Sequence, residues 1–198
     1  MAKSNQPNPA ASLKGQLLLA SSRLMDPNFA RSVILMVQHD ENGALGLILN
    51  RPLQTTVKEV CDEALELPCA VEASLYQGGP CEGPLMVVHT SESAGQIQVM
   101  SDVFFTTDRG QIESLLLNGG EGGGEDTSVK FFVGYAGWAK GQLESEVQSG
   151  SWVMTPADRE QIFVSDDGVS NQWSKLMTRV TLGAYIDPKR IPDDPTVN

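Results

Sequence analysis

The chain has 198 residues, 40% of them apolar and 20% charged, and carries a formal net charge of −11. A chain this long can bury roughly 70% of its unfolded surface in one core, so neither a metal nor a disulfide is needed to hold it together. No basic run is present, which disfavours direct nucleic-acid binding and attachment to an anionic membrane surface, since both need clustered Lys and Arg. Neutral, cationic or protein partners remain.

From the N-terminus, residues 1–12 are polar and proline-bearing and read as a disordered tail. The run Leu17, Leu18, Leu19, Ala20 is too short for a signal segment or a spanning helix, so the expected location is cytoplasmic, with no membrane. It reads instead as a first strand, residues 16–20. Residues 32–38 (SVILMVQ) are almost wholly apolar, as a strand buried on both faces must be. The turn Asp40-Glu41-Asn42-Gly43 and the returning run 44–49 (ALGLIL) predict a β-hairpin. Further strands are predicted at 74–77, 85–89, 97–100, 129–135 and 152–154. Helical spacing of apolar residues predicts helices at 56–65, at 108–117 with Thr106 or Thr107 as cap, and at 140–148 with Gly150 beyond its end. A further helix is predicted to start at Thr155-Pro156-Ala157-Asp158. The last covers 170–182, with Trp173, Leu176, Met177 and Val180 on one stripe, and ends at Gly183. The stretch 118–128 (NGGEGGGEDTS) has five glycines and three acids and reads as a flexible surface loop. Residues 188–198, with three prolines, read as a second tail. Short turns between strand pairs point to an α+β class: one domain over 13–187, with a mixed, mostly antiparallel curved sheet and flanking helices.

The three cysteines, Cys61, Cys69 and Cys81, match no zinc spacing and read as reduced thiols. His39-Asp40-Glu41 has ligand types but sits on one turn, and adjacent turn residues rarely converge on a metal. No metal site and no cofactor are predicted. His89 and Cys81 would form a nucleophile pair only if the fold joined them. Asp26, Asp102, Asp108 and Glu144 are carboxylates with no fixed mutual distance.

Three segments stand out: 26–33 (DPNFARSV) leading through His39 and Gly43 to 46–52 (GLILNRP); 78–80 (GGP) followed by His89; and 134–146 (GYAGWAKGQLESE) followed by Trp152. In these the chain resembles the AlgH/YqgE family of uncharacterised bacterial proteins, over about residues 13–187. The resemblance implies a single α/β domain with a curved mixed sheet. It implies little about chemistry: no catalytic residues and no cofactor are established for that family, although some members have been labelled transcriptional regulators. Ser22, where relatives commonly carry proline, the longer glycine-acid insert, and Cys81, where relatives commonly carry an aliphatic residue, depart from the pattern.

The segment 134–146 predicts a strand ending in a glycine-flanked turn onto a helix, a geometry that can aim backbone N–H groups at an anion. The candidate pocket comprises Asn50, Arg51, Gly78, Gly79, His89, Tyr135, Gly137, Trp138, Gln142 and Glu144. In the competing reading Trp138 packs in the core, Gln142 or Glu144 ties down the turn, Gly78-Gly79 simply ends a strand, and Arg51 pairs with an internal acid such as Asp26. The expected function is a non-enzymatic binding or regulatory protein acting through a protein or small-molecule partner. The alternative is a hydrolase-like enzyme with a polar cleft near Gly78-Gly79, His89 and 134–144. Oligomeric state is not set by any of these features.

Overall fold

Leu17 and Leu19 face one apolar cluster while Leu18 and Ala20 face another, so the first strand has no polar side to offer. This double burial explains the unbroken apolar runs of the N-terminal strands. The computed structural model describes residues 12–62, 69, 71, 73–118 and 127–185. Residues 1–11 of the first predicted tail, the second tail, most of the 118–128 loop and the last three residues of the predicted 56–65 helix lie outside the described residues.

Two sheets stack face to face. The first holds β1 (Gln16–Ala20), β2 (Val33–Asp40), β3 (Gly43–Ile48), β10 (Ala136–Ala139) and β11 (Trp152–Pro156) in the order β10-β3-β2-β1-β11, with every pair antiparallel. The second holds β4 (Pro52–Thr56), β5 (Ser74–Gln77), β6 (Met86–His89), β7 (Ile97–Met100), β8 (Val103–Thr106) and β9 (Val129–Val133) in the order β4-β5-β9-β6-β8-β7. There only β5 and β9 run parallel. The class is therefore α+β in a single domain, as predicted, with the mostly antiparallel sheet divided in two.

Between the sheets Leu17, Leu35 and Leu47 meet Tyr76, Val88 and Phe132. α4 (Arg159–Ile162), α5 (Asp166–Val169) and α6 (Gln172–Tyr185) add Ile162, Val169 and Leu176 to that layer. The outer face of the first sheet is covered by Leu143 of α3 (Gln142–Gln148) and by Phe29. The outer face of the second is covered by Val57 of α1 (Val57–Val60) and by Ile112, Leu115 and Leu116 of α2 (Arg109–Asn118).

Several local expectations are corrected. Residues 136–139 are a strand, β10, not part of a turn onto a helix: Gly134, at φ +70°, turns the chain out of the second sheet and into the first. The helix that follows starts at Gln142, after Gly141 at φ +75°. Thr155 and Pro156 end strand β11, and the cap of the next helix is Asp158, whose side chain accepts from the Gln161 N–H at 2.8 Å. The side chain capping the first turn of α2 is Asp108, which accepts from the Gln111 N–H at 2.9 Å, rather than Thr106 or Thr107. The last helix runs through Gly183 to Tyr185. Strand β8 had no counterpart in the sequence reading. Pro52 does take the chain out of the first sheet, and then opens β4 at the edge of the second, where a missing N–H is tolerated.

Candidate functional site

The parallel strands β5 and β9 end side by side, with Gln77 opposite Val133. Beyond them the two chains must separate, because one enters a loop and the other crosses to the first sheet. Glycine allows the separation to begin at van der Waals contact. A Cβ on Gly78 would stand 2.2 Å from the Gly134 carbonyl oxygen, and one on Gly79 2.2 Å from the Tyr135 carbonyl carbon. The Gly78 N–H donates to the Val133 carbonyl at 2.8 Å, and the Gly78 carbonyl accepts from the Ile48 N–H of the other sheet, also at 2.8 Å. Cys81 and Tyr135 exchange both backbone bonds at 3.0 Å.

A groove of about 570 Å³ opens at this divergence, lined by Leu53, Gln77, Cys81, Glu82, Gly134 and their glycine neighbours. Crevices of this kind, outside the carboxyl ends of parallel strands, are a recurrent place for ligands. Glu82 is the one charged side chain in its wall. Tyr135 and Gly137 lie just behind it: a Cβ on Gly137 would stand 3.1 Å from the Tyr135 ring and 3.7 Å from Cys81 Sγ.

The anion-binding turn expected over 134–146 is replaced by ladder bonds, since the Tyr135 N–H is given to Cys81 and 136–139 pair with β3. Trp138 is buried, stacked at 6.3 Å on Phe29 and set edge-on at 6.0 Å to Trp152. Its Nε1–H donates to Glu146 Oε2 at 2.9 Å, and Trp152 Nε1–H donates to the same oxygen at 2.8 Å. Gln142 Nε2 donates to Glu146 Oε1 at 3.0 Å, while Gln142 Oε1 accepts from the Ala139 N–H at 3.1 Å. Gln142 therefore ties down the turn, as in the competing reading, and Glu146 holds α3 on the sheet. Glu144 faces His39 instead. The Leu13 N–H donates to His39 Nδ1 at 2.9 Å, so Nε2 carries the proton that reaches Glu144 Oε1 at 3.1 Å. Hydrogen bonding at its own helix turn, followed by His39, holds the Glu144 carboxyl below the usual range.

The remaining predicted residues lie elsewhere. Asn50 accepts from the Val33 N–H at 2.9 Å and donates to the Arg31 carbonyl at 2.9 Å, fixing a loop in which Arg31 sits at φ 56°. Arg51 donates to the carbonyls of Pro27 and Ala30 at 3.1 and 3.5 Å. Burial lowers its pKa and the charge of Asp26 partly offsets this. His89 is buried and stacked at 6.0 Å on Phe104. Burial depresses its pKa, with the Ser91 and Ala94 backbone acting the other way. His89 stands opposite Val129 at the start of β9, and Cys81 opposite Tyr135 beyond its end. The five-residue length of β9 lies between those positions, about 13 Å of strand, so the pair does not meet. Arg51 and Glu144 are bonded into different neighbourhoods, and His89 is packed against Phe104 with neither ring nitrogen hydrogen-bonded among the described residues.

A second cavity, about 340 Å³, was not anticipated. It is lined by Ser74, Tyr76, Ser128, Lys130, Ser165 and Asp166, with apolar neighbours. Lys130 is the second residue of β9, on the side that carries Phe132 into the inter-sheet core, and is only 5% exposed. Its Nζ donates to the carbonyls of Ile162 and Val164 at 3.3 Å each and stands 4.1 Å from the centre of the Tyr76 ring. Tyr76 Oη–H and Ser74 Oγ–H both donate to the Asp166 carboxylate. The signal in the sequence was a lone lysine inside VKFFV, in a strand read only for its apolar residues.

Burial pushes the Lys130 pKa down from 10.5 to about 8, against the opposing charge of Asp166. Between those values the unfolded chain binds the proton and the folded one releases it, so the Lys130 contribution to stability rises with pH in that window. Tyr76 acts in the opposite sense above its ordinary value of 10.0, because burial and Asp166 keep its phenol protonated in the fold. From pH 8 toward pH 10, urea midpoints of the native protein should therefore climb relative to those of Lys130→Met. Parallel curves for the two proteins would show that the amine titrates normally.

Among the described residues no helix is long and apolar enough to cross a membrane, and no three His, Cys, Asp or Glu side chains are placed to hold a metal ion. Two stacked sheets exchanging strands through a glycine-built crossover define the class of protein. The chain belongs to the AlgH-like family (DUF179), whose model matches residues 17–184. It is 38% identical over 187 residues to the UPF0301 protein CT0663 of Chlorobaculum tepidum, covering 93% of this chain and 95% of that one. It is 39% identical over 166 residues to the UPF0301 protein R00917 of Rhizobium meliloti, covering 78% and 80%. The solution structure of the AlgH protein from Pseudomonas aeruginosa matches with a TM-score of 0.68 at 30% identity, over 91% of this chain and 95% of that chain. The crystal structure of protein DIP2367 from Corynebacterium diphtheriae shares the fold, with a TM-score of 0.66 at 24% identity, over 88% and 90%. None of these names carries a biochemical activity.

Proposed function

We propose that this chain is a non-enzymatic binding protein, regulatory in role and cytoplasmic, whose small-molecule partner occupies the groove at the diverging ends of β5 and β9. The observation behind this reading is the groove wall itself: glycine backbone at van der Waals contact, one thiol, and Glu82 as the one charged side chain. Such a wall suits a neutral or cationic molecule with hydrogen-bonding groups that can reach main-chain donors and acceptors. The overall charge of −11 acts in the same direction at long range. The hydrolase alternative has less behind it, since Arg51 and Glu144 are bonded to separate partners and His89 is buried against Phe104.

The test is a thermal-shift screen of neutral and cationic metabolites. A ligand at about a hundred times its Kd stabilises the fold by about 2.7 kcal/mol, roughly 5–10 °C for a chain of this size. Leu53→Trp, which fills the groove from the half-buried edge strand, should abolish the shift without lowering the unliganded melting temperature much. Glu82→Gln should weaken cationic hits selectively. Hits that survive Leu53→Trp unchanged would place the ligand elsewhere and end this reading.

A further inference from the structure

The second cavity has a chemistry of its own. A lysine in a core strand is costly, because charged amines are rarely buried without a partner that restores their solvation. At this position, on the inter-sheet face of β9, an apolar side chain would pack without that cost. The groups around Nζ are the carbonyls of Ile162 and Val164, the face of Tyr76, and beyond it Asp166. A neutral amine has two N–H donors and one lone pair. The two carbonyls use both donors, and no third hydrogen-bond partner of Nζ is found among the described residues. The lone pair is thus left for an electrophile, in a cavity whose volume is at the lower end of the range for small-molecule sites. Hydroxyls of Ser74, Ser128 and Ser165 line the same space, and the carboxylate of Asp166 disfavours an anionic guest.

We propose that Lys130 is a carbonyl-reactive amine whose cavity accepts a small, uncharged hydroxy-aldehyde or hydroxy-ketone and holds it as an imine. The Lys130 nitrogen lone pair attacks the carbonyl carbon, and the C=O π pair moves to oxygen. Transfer of one proton from nitrogen to that oxygen gives a carbinolamine. A second proton leaves nitrogen as the C–O bond breaks and water departs, so that amine and carbonyl become imine and one water. No oxidant or reductant takes part. Tyr76 and Asp166 are the groups placed to relay protons at this site. The lowered pKa of about 8 supports the reading, because at neutral pH about a hundredfold more of this amine is unprotonated than of an exposed lysine. The titratable groups facing Nζ are Tyr76 on β5 and Asp166 on α5, while Arg159 of α4 reaches the cavity wall through its 3.2 Å bond to Ser128.

The experiment uses the full chain, glycolaldehyde as probe, and cyanoborohydride to reduce any imine to a stable secondary amine for peptide mass mapping. Adduct formation at Lys130 near pH 7.5 should outpace that at Lys58, Lys140 and Lys175 by about tenfold, inside the hundredfold advantage in free amine. Glyoxylate, which adds a carboxylate, should label Lys130 more slowly than glycolaldehyde, and Asp166→Asn should narrow that difference. Lys130→Arg should remove the fast adduct and leave the exposed lysines unchanged. Because the primary readout comes from the native protein, it stands even if a variant fails to fold. Labelling of Lys130 no faster than of the exposed lysines would overturn the proposal, as would a preference for glycolaldehyde over glyoxylate that Asp166→Asn leaves intact, or glyoxylate labelling at least as fast as glycolaldehyde.

Discussion

Glu146→Ala should lower the melting temperature by about 6–12 °C and shift tryptophan emission to the red. Two indole N–H groups, on side chains only 6% and 5% exposed, end on one carboxylate oxygen. Removing the acceptor leaves both donors buried and unpaired, at about 1–3 kcal/mol each. Taking about 3 kcal/mol for the two, at roughly 2–4 °C per kcal/mol for a chain of this length, gives the stated shift. Gln142 loses its partner as well, so the first turn of α3 should exchange its amides faster. Glu146→Gln can keep one acceptor oxygen for the two indoles but gives up the charge assistance and the bond from Gln142 Nε2, so its loss should be smaller than that of Glu146→Ala. Equal melting points for Glu146→Ala and the native protein would mean that water satisfies both indoles and that the helix is held by packing alone.

Gly78→Ala should be still more damaging for one methyl group. The new carbon would stand 2.2 Å from a backbone oxygen, which cannot rotate away, and 2.9 Å from a methyl of the buried Leu47. Relief requires the β5 and β9 ends to move apart, which strains the bonds that link Gly78 to Val133 and to Ile48. Overpacking costs about 1–3 kcal/mol where side chains can adjust, and the backbone contact puts this variant at or above about 3 kcal/mol. Gly110→Ala is the matched control. It lies in α2, where the added carbon meets only Asp108 Oδ1 at 3.4 Å, and it should stabilise by up to about 1 kcal/mol. If chemical denaturation finds the two substitutions alike, close approach at the crossover is not what requires glycine there.

The contrast between these glycines shows what was legible beforehand. Strands with both faces buried announced themselves, because period-two burial on two sides leaves only apolar letters, as in Leu17–Leu18–Leu19. The hairpin at Asp40–Gly43 was equally plain, its turn chemistry being local. The segment Ala136–Ala139 was misread because its partner, Gly43–Gly46, is some ninety residues away and nothing local distinguishes a short strand from a turn. Val103–Thr106 is four residues long and packs between β6 and β7, so its pattern was too short to register. The Glu146 hub was missed for a related reason: both indoles reach it only after the strand and the helix have folded onto each other. Lys130 was visible as a letter, but its meaning depends on which face of β9 it occupies, and that face is set by the sheet above.

The first sheet takes strands from both ends of the chain, with Gln16 paired to Pro156, 140 positions later. During synthesis β1 can find β2 early, yet its outer edge stays open until β11 has left the ribosome. Such long-range closure slows folding and exposes a sticky apolar ribbon in the meantime. Truncated chains that stop short of Trp152 should accordingly collect as insoluble material, and the full-length nascent polypeptide should depend on holding factors until its last third is made.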